Sequence, residues 1–271
     1  MPQMTIRQAL MNARSQLKTE DARFDALQLA VYAFGLSKTQ LRLEAEHTVD
    51  PIAYFELVQR RAAGEPLQYL LGCWEFFGLE YAVGPGVLIP RPETEILVEL
   101  ALKHLQNFDS PTVLDLCAGT GCVGLSVAHH CPKARVYLLE LSDEAMPYLT
   151  QNAGKYPNAH VVRGDILNEQ CTRNNVQFIL CNPPYIPSSE LSGLSKEIQQ
   201  EPSMALDGGE DGLQFYKALA EIWRPKLAPG GMLAMECGEG QAKDIAALFA
   251  GCQSEILRDF NHIQRVVLVR C

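Results

Sequence analysis

The sequence predicts an α/β fold: a mainly parallel seven-stranded sheet with an antiparallel last strand, plus a small N-terminal helical domain. Three observations predict it. From residue 112 on, short apolar runs alternate with helix-like stretches, which calls for parallel strands covered on both faces. The final runs, "EILRDF" and "RVVLVRC", are separated only by Asn261, His262, Ile263 and Gln264. That is too short for a helical crossover, so they should pair antiparallel. Residues 1 to about 70 carry apolar stripes at helical spacing.

Taken in order, Ile6, Leu10, Ala13 and Leu17 form the first helical stripe. Ala22, Ala26, Leu29 and Ala33 form the second, with Gly35 as its stop. Ile52, Phe55, Val58 and Ala62 form a third, ended near Gly64. These make an N-terminal helical domain, 1–72. "WEFFGLEYAVGPGVLIP" alternates around Gly78 and Gly84-Pro85-Gly86, so 73–92 reads as a β-hairpin linker. "RPETE" (91–95) opens a helix with Pro92 in the first turn and acids at the positive end. The remaining domain, 93–271, holds strands "TVLDL", "RVYLLE", "AHVVRGD", "VQFILCN", "GGMLAMECG" and the final pair. Helices fall at 121–131, 143–154, 211–227 and 240–250.

Composition excludes several classes. The net charge of −9 leaves no basic footprint for nucleic acid, and no apolar run approaches membrane length. The N-terminus has no signal-peptide core. The nine cysteines (73, 117, 122, 131, 171, 181, 237, 252, 271) are odd in number and contain no C-x-x-C pair. They are expected to be reduced core residues of a cytoplasmic protein, with no metal site.

Chemistry concentrates where strands end. After "TVLDL" comes the small-residue loop Cys117-Ala118-Gly119-Thr120-Gly121, and then a helix. Gly119 and Gly121 let backbone approach a ligand, and loop N–H groups favour an electron-rich group. The dinucleotide fingerprint is not matched cleanly, so the loop alone fits NAD or another adenosine-containing ligand. Glu140 ends the second strand and can accept from ribose hydroxyls. Asp165 follows the third and can accept from an adenine amino group. The fourth delivers Asn182-Pro183-Pro184-Tyr185. Two prolines stop the strand, leaving a place rich in acceptors and poor in backbone donors. Open α/β sheets bind ligands at these carboxyl ends.

"DLCAGTG", Glu140, Asp165 and "NPPY" in this order resemble a class I S-adenosylmethionine-dependent methyltransferase, with a Rossmann-like fold. "GEPLQYLLGCWEFFGLEY", "VLIPRPETE", "EPSMAL", "GGEDGL" and "RDFNHIQRVVL" resemble the release factor glutamine N5-methyltransferases (the PrmC/HemK family). The likeness covers essentially the whole chain. It implies that Cys117 to Gly121 hold the cofactor's methionine part, Glu140 the ribose, and Asp165 or Ile166 the adenine. It implies that Asn182, Pro183, Pro184 and Tyr185 hold the substrate glutamine, with Asn182, Pro183 and Tyr185 catalytic and Asn182 also beside the cofactor. The implied partner is a class 1 peptide chain release factor, methylated on the Gln of its Gly-Gly-Gln motif, with no direct nucleic-acid or membrane contact. The first loop position, commonly Gly in the family, is Cys117 here; the ribose acid is Glu rather than the Asp of some relatives, and Ile166 stands where some relatives carry an aromatic.

An amide nitrogen is a poor nucleophile, so it must be aligned. Asn182 Oδ1 and the Pro183 carbonyl could each accept one N–H of the substrate, pointing the lone pair at the methyl group. The 186–211 loop holds six acids and one Lys. The expectation is that this loop, through Glu197 and Glu201, and the N-terminal helices dock the basic release factor. Arg91 to Glu95 touch cofactor or link domains; Asp259 and Arg265 are structural. The rivals are an amino-group methyltransferase for a ribosomal protein glutamine or a nucleic-acid base, an NAD-dependent oxidoreductase, and a non-catalytic adaptor. "NPPY" argues against the last two.

Overall fold

The computed structural model describes residues 3–168 and 173–271. The chain divides into two compact units, Met1–Cys73 with Lys196–Gln200, and Trp74–Ser195 with Glu201–Cys271.

The first unit is helical: β1 (Met4–Thr5), α1 (Ile6–Gln16), α2 (Ala22–Phe34), α3 (Lys38–Leu43), β2 (Thr48–Val49), α4 (Ile52–Ala62) and α5 (Leu67–Leu71). Sequence sets the helix ends. The Thr5 hydroxyl accepts the Gln8 N–H while the Gln8 side chain accepts the Thr5 N–H, a reciprocal cap. Gly35 closes α2 with φ 64°. Ile6, Ala13, Leu17, Ala26, Leu29, Phe55 and Val58 fill the core. Asp25 is buried with them because the Arg61 Nε donates to its Oδ2 at 2.8 Å. The Arg61 Nη1 reaches Glu197 at 3.0 Å. Met11, Tyr32, Leu43 and Ile52 are exposed.

In the second unit, β3 (Cys73–Phe76) and β4 (Leu79–Ala82) form a two-stranded sheet. Phe77 and Gly78 both have positive φ, the turn geometry that matches strand twist. A tight turn at Pro92–Thr94 leads into α6 (Glu95–Leu105). The large sheet and its helices follow: β5 (Thr112–Leu116), α7 (Cys122–His130), β6 (Arg135–Glu140), α8 (Met146–Ala153), β7 (Ala159–Arg163) and β8 (Val176–Cys181). After them come α9 (Gln214–Ala218), β9 (Leu227–Glu236), α10 (Ala242–Leu248), β10 (Gln253–Arg258) and β11 (Gln264–Arg270). The strand order is β10-β11-β9-β8-β5-β6-β7, with only β11 antiparallel to its neighbours. This is the predicted seven-stranded sheet.

Alternation within each strand builds two cores. Val113, Phe178, Leu180, Ala234 and Val266 face one, with Leu97, Ala101 and Leu125 of α6 and α7. Leu114, Ile179, Leu233, Met235 and Val267 face the other, with Tyr216, Trp223, Ile245 and Phe249. Burial on both faces explains why these strands read as continuous apolar runs. The predicted helix at 211–227 is shorter. After α9 it passes through a wide turn, Leu219–Trp223, and a tight one at Arg224–Lys226. Pro225, which cannot continue a helix, ends it, and β9 begins at Leu227.

The expectation of uniformly reduced cysteines is overturned for one pair. Cys252 and Cys271 form a disulfide with a Cα–Cα distance of 4.6 Å. Pairing of Gln253 with Arg270 places them opposite at the open end of the β10–β11 hairpin. Cys117, Cys122, Cys131, Cys181 and Cys237 are free thiols; Cys171 lies outside the described residues. Among the described residues no helix is long and apolar enough to cross a membrane.

Candidate active site

The chain runs β5, β6, β7 in one direction across the sheet, then returns to place β8 and β9 on the other side of β5. Between β5 and β8 lies the switch point, where loops diverge and leave a crevice. A cleft opens there.

Its floor is the loop after β5. Cys117 has φ 60° and Gly119 φ 56°. That is the region glycine enters freely and other residues enter at a cost of about 1 kcal/mol or more, the physical reason a glycine suits position 117. A Cβ on Gly119 would find only Val87, at 3.8 Å, so this position is open on the cleft side. Gly121 differs: its φ is 80°, and a Cβ would strike Leu149 at 2.6 Å and Leu125 at 2.9 Å. Gly121 is required by packing under α7.

Glu140 ends β6 and is largely buried. Its Oε2 accepts the Gly119 N–H at 2.7 Å; its Oε1 accepts the Leu141 and Ser142 N–H groups at 2.8 and 2.7 Å. A carboxylate has about four acceptor sites. Three are taken, so Glu140 holds the loop in shape and keeps limited capacity for hydroxyls. Asp165 Oδ1 accepts the Leu167 N–H and its Oδ2 the Asn168 amide, an Asx-type turn. Ile166 is buried, and its carbonyl accepts from the Trp223 indole at 2.8 Å.

Asn182 leaves β8 at the cleft. Its Nδ2 donates to Thr94 Oγ1 at 3.3 Å. Its Oδ1 and the Pro183 carbonyl accept from no protein donor among the described residues. Thr94 Oγ1 in turn donates to Glu236 Oε2 at 2.5 Å, and both residues are buried. Burial pushes the Glu236 carboxyl up to about 7, against the pull of its Thr94 bond and of Arg265. Burial likewise pushes the Tyr185 phenol up to about 12.

Of the residues singled out by sequence, Cys117, Ala118, Gly119, Thr120, Glu140, Asp165, Ile166, Asn182 and Pro184 line one cleft. Pro183 and Tyr185 do not line it. The Tyr185 ring lies beside Gly238, where an added Cβ would sit 3.2 Å from Cδ2, and its carbonyl accepts from Gln241 at 2.9 Å. Two residues were missed, and a third, Thr94, was marked only as part of Arg91 to Glu95. Asp115, buried beside Glu140, accepts the Gly124 N–H at 2.8 Å; desolvation raises its carboxyl to about 8. An acid inside "VLDL" was the available signal. Glu236 ends β9, so the strand-end rule applied to the first four strands would have found it in the fifth. Thr94 stood within "RPETE".

The docking expectation fails for Glu201. Its side chain is 1% exposed, pairs with Arg91 and accepts the Ile89 N–H at 3.0 Å. A residue turned inward cannot present charge to a partner. Glu197 is committed to Arg61. Glu201 instead ties the Ile89–Arg91 wall of the cleft to the Pro202–Ala205 wall. Asp259 holds the Asn261 and Ile263 N–H groups and Arg265 Nε, the structural role expected of it.

The chain matches the PrmC N-terminal domain over residues 8–72 and the methyltransferase small domain over 93–209. It is 39% identical to the release factor glutamine methyltransferase of Moorella thermoacetica, covering 98% of each chain. It is 37% identical to that of Geobacter sulfurreducens, covering 97% of this chain and 95% of the other. Among solved structures, a methyltransferase from Pyrococcus furiosus superposes with a TM-score of 0.51 at 17% identity. That comparison covers 72% of this chain and 90% of the other and shows the shared fold.

Proposed function

We propose, from the premise that the chain belongs to the release factor glutamine methyltransferase family, that it methylates the side-chain amide of the Gly-Gly-Gln glutamine in class 1 release factors. The donor is S-adenosylmethionine, which supplies an electrophilic methyl on a positively charged sulfur. The residues present fit that cofactor. Gly119 leaves backbone open to the methionine part, Glu140 and Asp165 are anchored carboxylates that would hold the sugar and base, and Ile166 would offer an apolar wall.

One observation carries the reading: Asn182 turns its amide nitrogen inward onto Thr94 and leaves Oδ1 without a protein donor. With the Pro183 carbonyl it forms two acceptors on a stiff Pro-Pro frame. They hold both protons of a carboxamide and direct its lone pair at the methyl group. Transfer would form the nitrogen–carbon bond as the sulfur–carbon bond breaks, leaving a neutral thioether, and the nitrogen's proton would pass to solvent water. Fixed alignment of this kind supplies several kcal/mol. Tyr185 supports the frame from behind. The helical unit, 1–72, docks the release factor through exposed Met11, Tyr32, Leu43 and Ile52. The enzyme works in the cytoplasm, and its net charge of −9 suits a basic protein partner rather than nucleic acid.

The test is mass spectrometry of a purified release factor incubated with enzyme and S-adenosylmethionine. One added methyl on that glutamine is expected, with the rate cut by about 10²–10³-fold in Asn182→Ala. Wild-type rates in that variant would refute the assignment.

A further inference from the structure

We propose that Glu236 and Thr94 are positioning residues that fix which end of the Asn182 amide faces the acceptor nitrogen. The inference rests on the reading of Asn182 given above. Asn182 has two nearly isosteric ends, and only the oxygen end can accept a proton from the incoming carboxamide; the nitrogen end would oppose one donor with another. Nothing in the Asn side chain itself selects between them.

The neighbours do. Thr94 Oγ1 carries a single proton and, with Glu236 ionised, directs it to Glu236 Oε2 at 2.5 Å. Toward Asn182, at 3.3 Å, the hydroxyl can therefore only accept, and only the NH₂ end of the amide can meet it. Oδ1 is turned the other way by elimination. Both relay residues are about 2% exposed, so water does not compete for the bond between them. The relay is also anchored at both ends. Thr94 closes the Pro92–Thr94 turn, its N–H donating to the Arg91 carbonyl. Glu236 ends β9 in register with Val266 of β11, and its carbonyl accepts from the Tyr216 hydroxyl at 2.7 Å. Three segments distant in sequence thus converge to settle one two-fold choice.

The experiment compares T94V, T94S, E236L and T94V/E236L in the full chain, with a purified release factor as substrate and S-adenosylmethionine affinity measured by calorimetry. Losing one relay bond should lower kcat by about fivefold in T94V and in E236L. KM for the release factor and Kd for S-adenosylmethionine should stay within about twofold. T94S, which keeps the hydroxyl, should restore kcat. Because the two residues act in series, the double variant should be no slower than the worse single. If T94V does not fold, T94A removes the same hydroxyl without added bulk and is read in the same way. A kcat within twofold of wild type in T94V overturns the proposal. So does a loss matched by weaker cofactor binding, or a double variant equal to the product of the singles. Asn182→Ala separates the two levels. If it keeps full activity, the role of Asn182 itself is wrong; if it is inactive while T94V is unimpaired, only the relay is wrong.

Discussion

Removing the Glu201 side chain should weaken the fold and the cofactor cleft together, and leave release-factor docking to follow passively. In E201A the Ile89 N–H, buried and bonded at 3.0 Å, loses its acceptor, which costs about 1–3 kcal/mol. Arg91 loses its carboxylate, but its side chain is 36% exposed, so water recovers most of that interaction. The sum is about 3 kcal/mol, at the low end for breaking a buried pair. For a chain of this size that corresponds to a drop in Tm of roughly 6 °C. Both walls joined by Glu201 line the cleft, so S-adenosylmethionine affinity should fall by about tenfold or more. E201Q keeps an acceptor for Ile89 and should lose less than half as much Tm. Differential scanning calorimetry and titration calorimetry read these quantities. An E201A protein with unchanged Tm and cofactor affinity but a raised KM for the release factor would refute the clamp and reinstate Glu201 as a docking residue.

Asp115 stands raised to about 8 by burial, so its contribution to stability is complete below about pH 4 and is lost as pH rises toward 8. D115N keeps an acceptor for the Gly124 N–H and cannot ionise; its Tm should fall less than the wild type's between pH 5 and 9, and parallel curves would contradict the assignment. Y185F should retain activity within about threefold, because the ring rather than the phenol supports the Pro-Pro frame, whereas Y185A should lose stability by about 3 kcal/mol in urea titration. Reducing the Cys252–Cys271 bridge, which spans 19 residues, should cost about 2–3 kcal/mol; equal denaturation midpoints with and without reductant would show that the hairpin needs no tie.

The sheet was legible because strands buried on both faces leave unbroken apolar runs, and because a short link between the last two runs permits only antiparallel pairing. Asn182 was legible for a covalent reason: two prolines announce a strand end. What escaped was whatever depends on partners far apart in the chain. Glu201 looked like one acid among six in an acidic loop; only its meeting with Ile89 and Arg91, more than a hundred residues upstream, turns it inward. Gly121 was read for ligand approach; that a side chain there would strike Leu149 on another helix was not legible. Cys252 and Cys271 carry no motif; pairing of the strands between them brings them together. Thr94 lay in a segment already marked, but its role appears only once Glu236 and Asn182 stand on either side of it.

The position of β11 between β9 and β10 has a consequence for synthesis on the ribosome. β10 emerges directly after β9 and α10, yet has no edge to join, since its neighbour in the finished sheet has still to be made. Until Val266 to Val269 appear, β9 presents an open flank and β10 drifts as an unzipped ribbon, both of them templates for stray association. Assembly in this half is therefore not vectorial: it waits for a later segment to slide into the middle and close the gap from both sides at once.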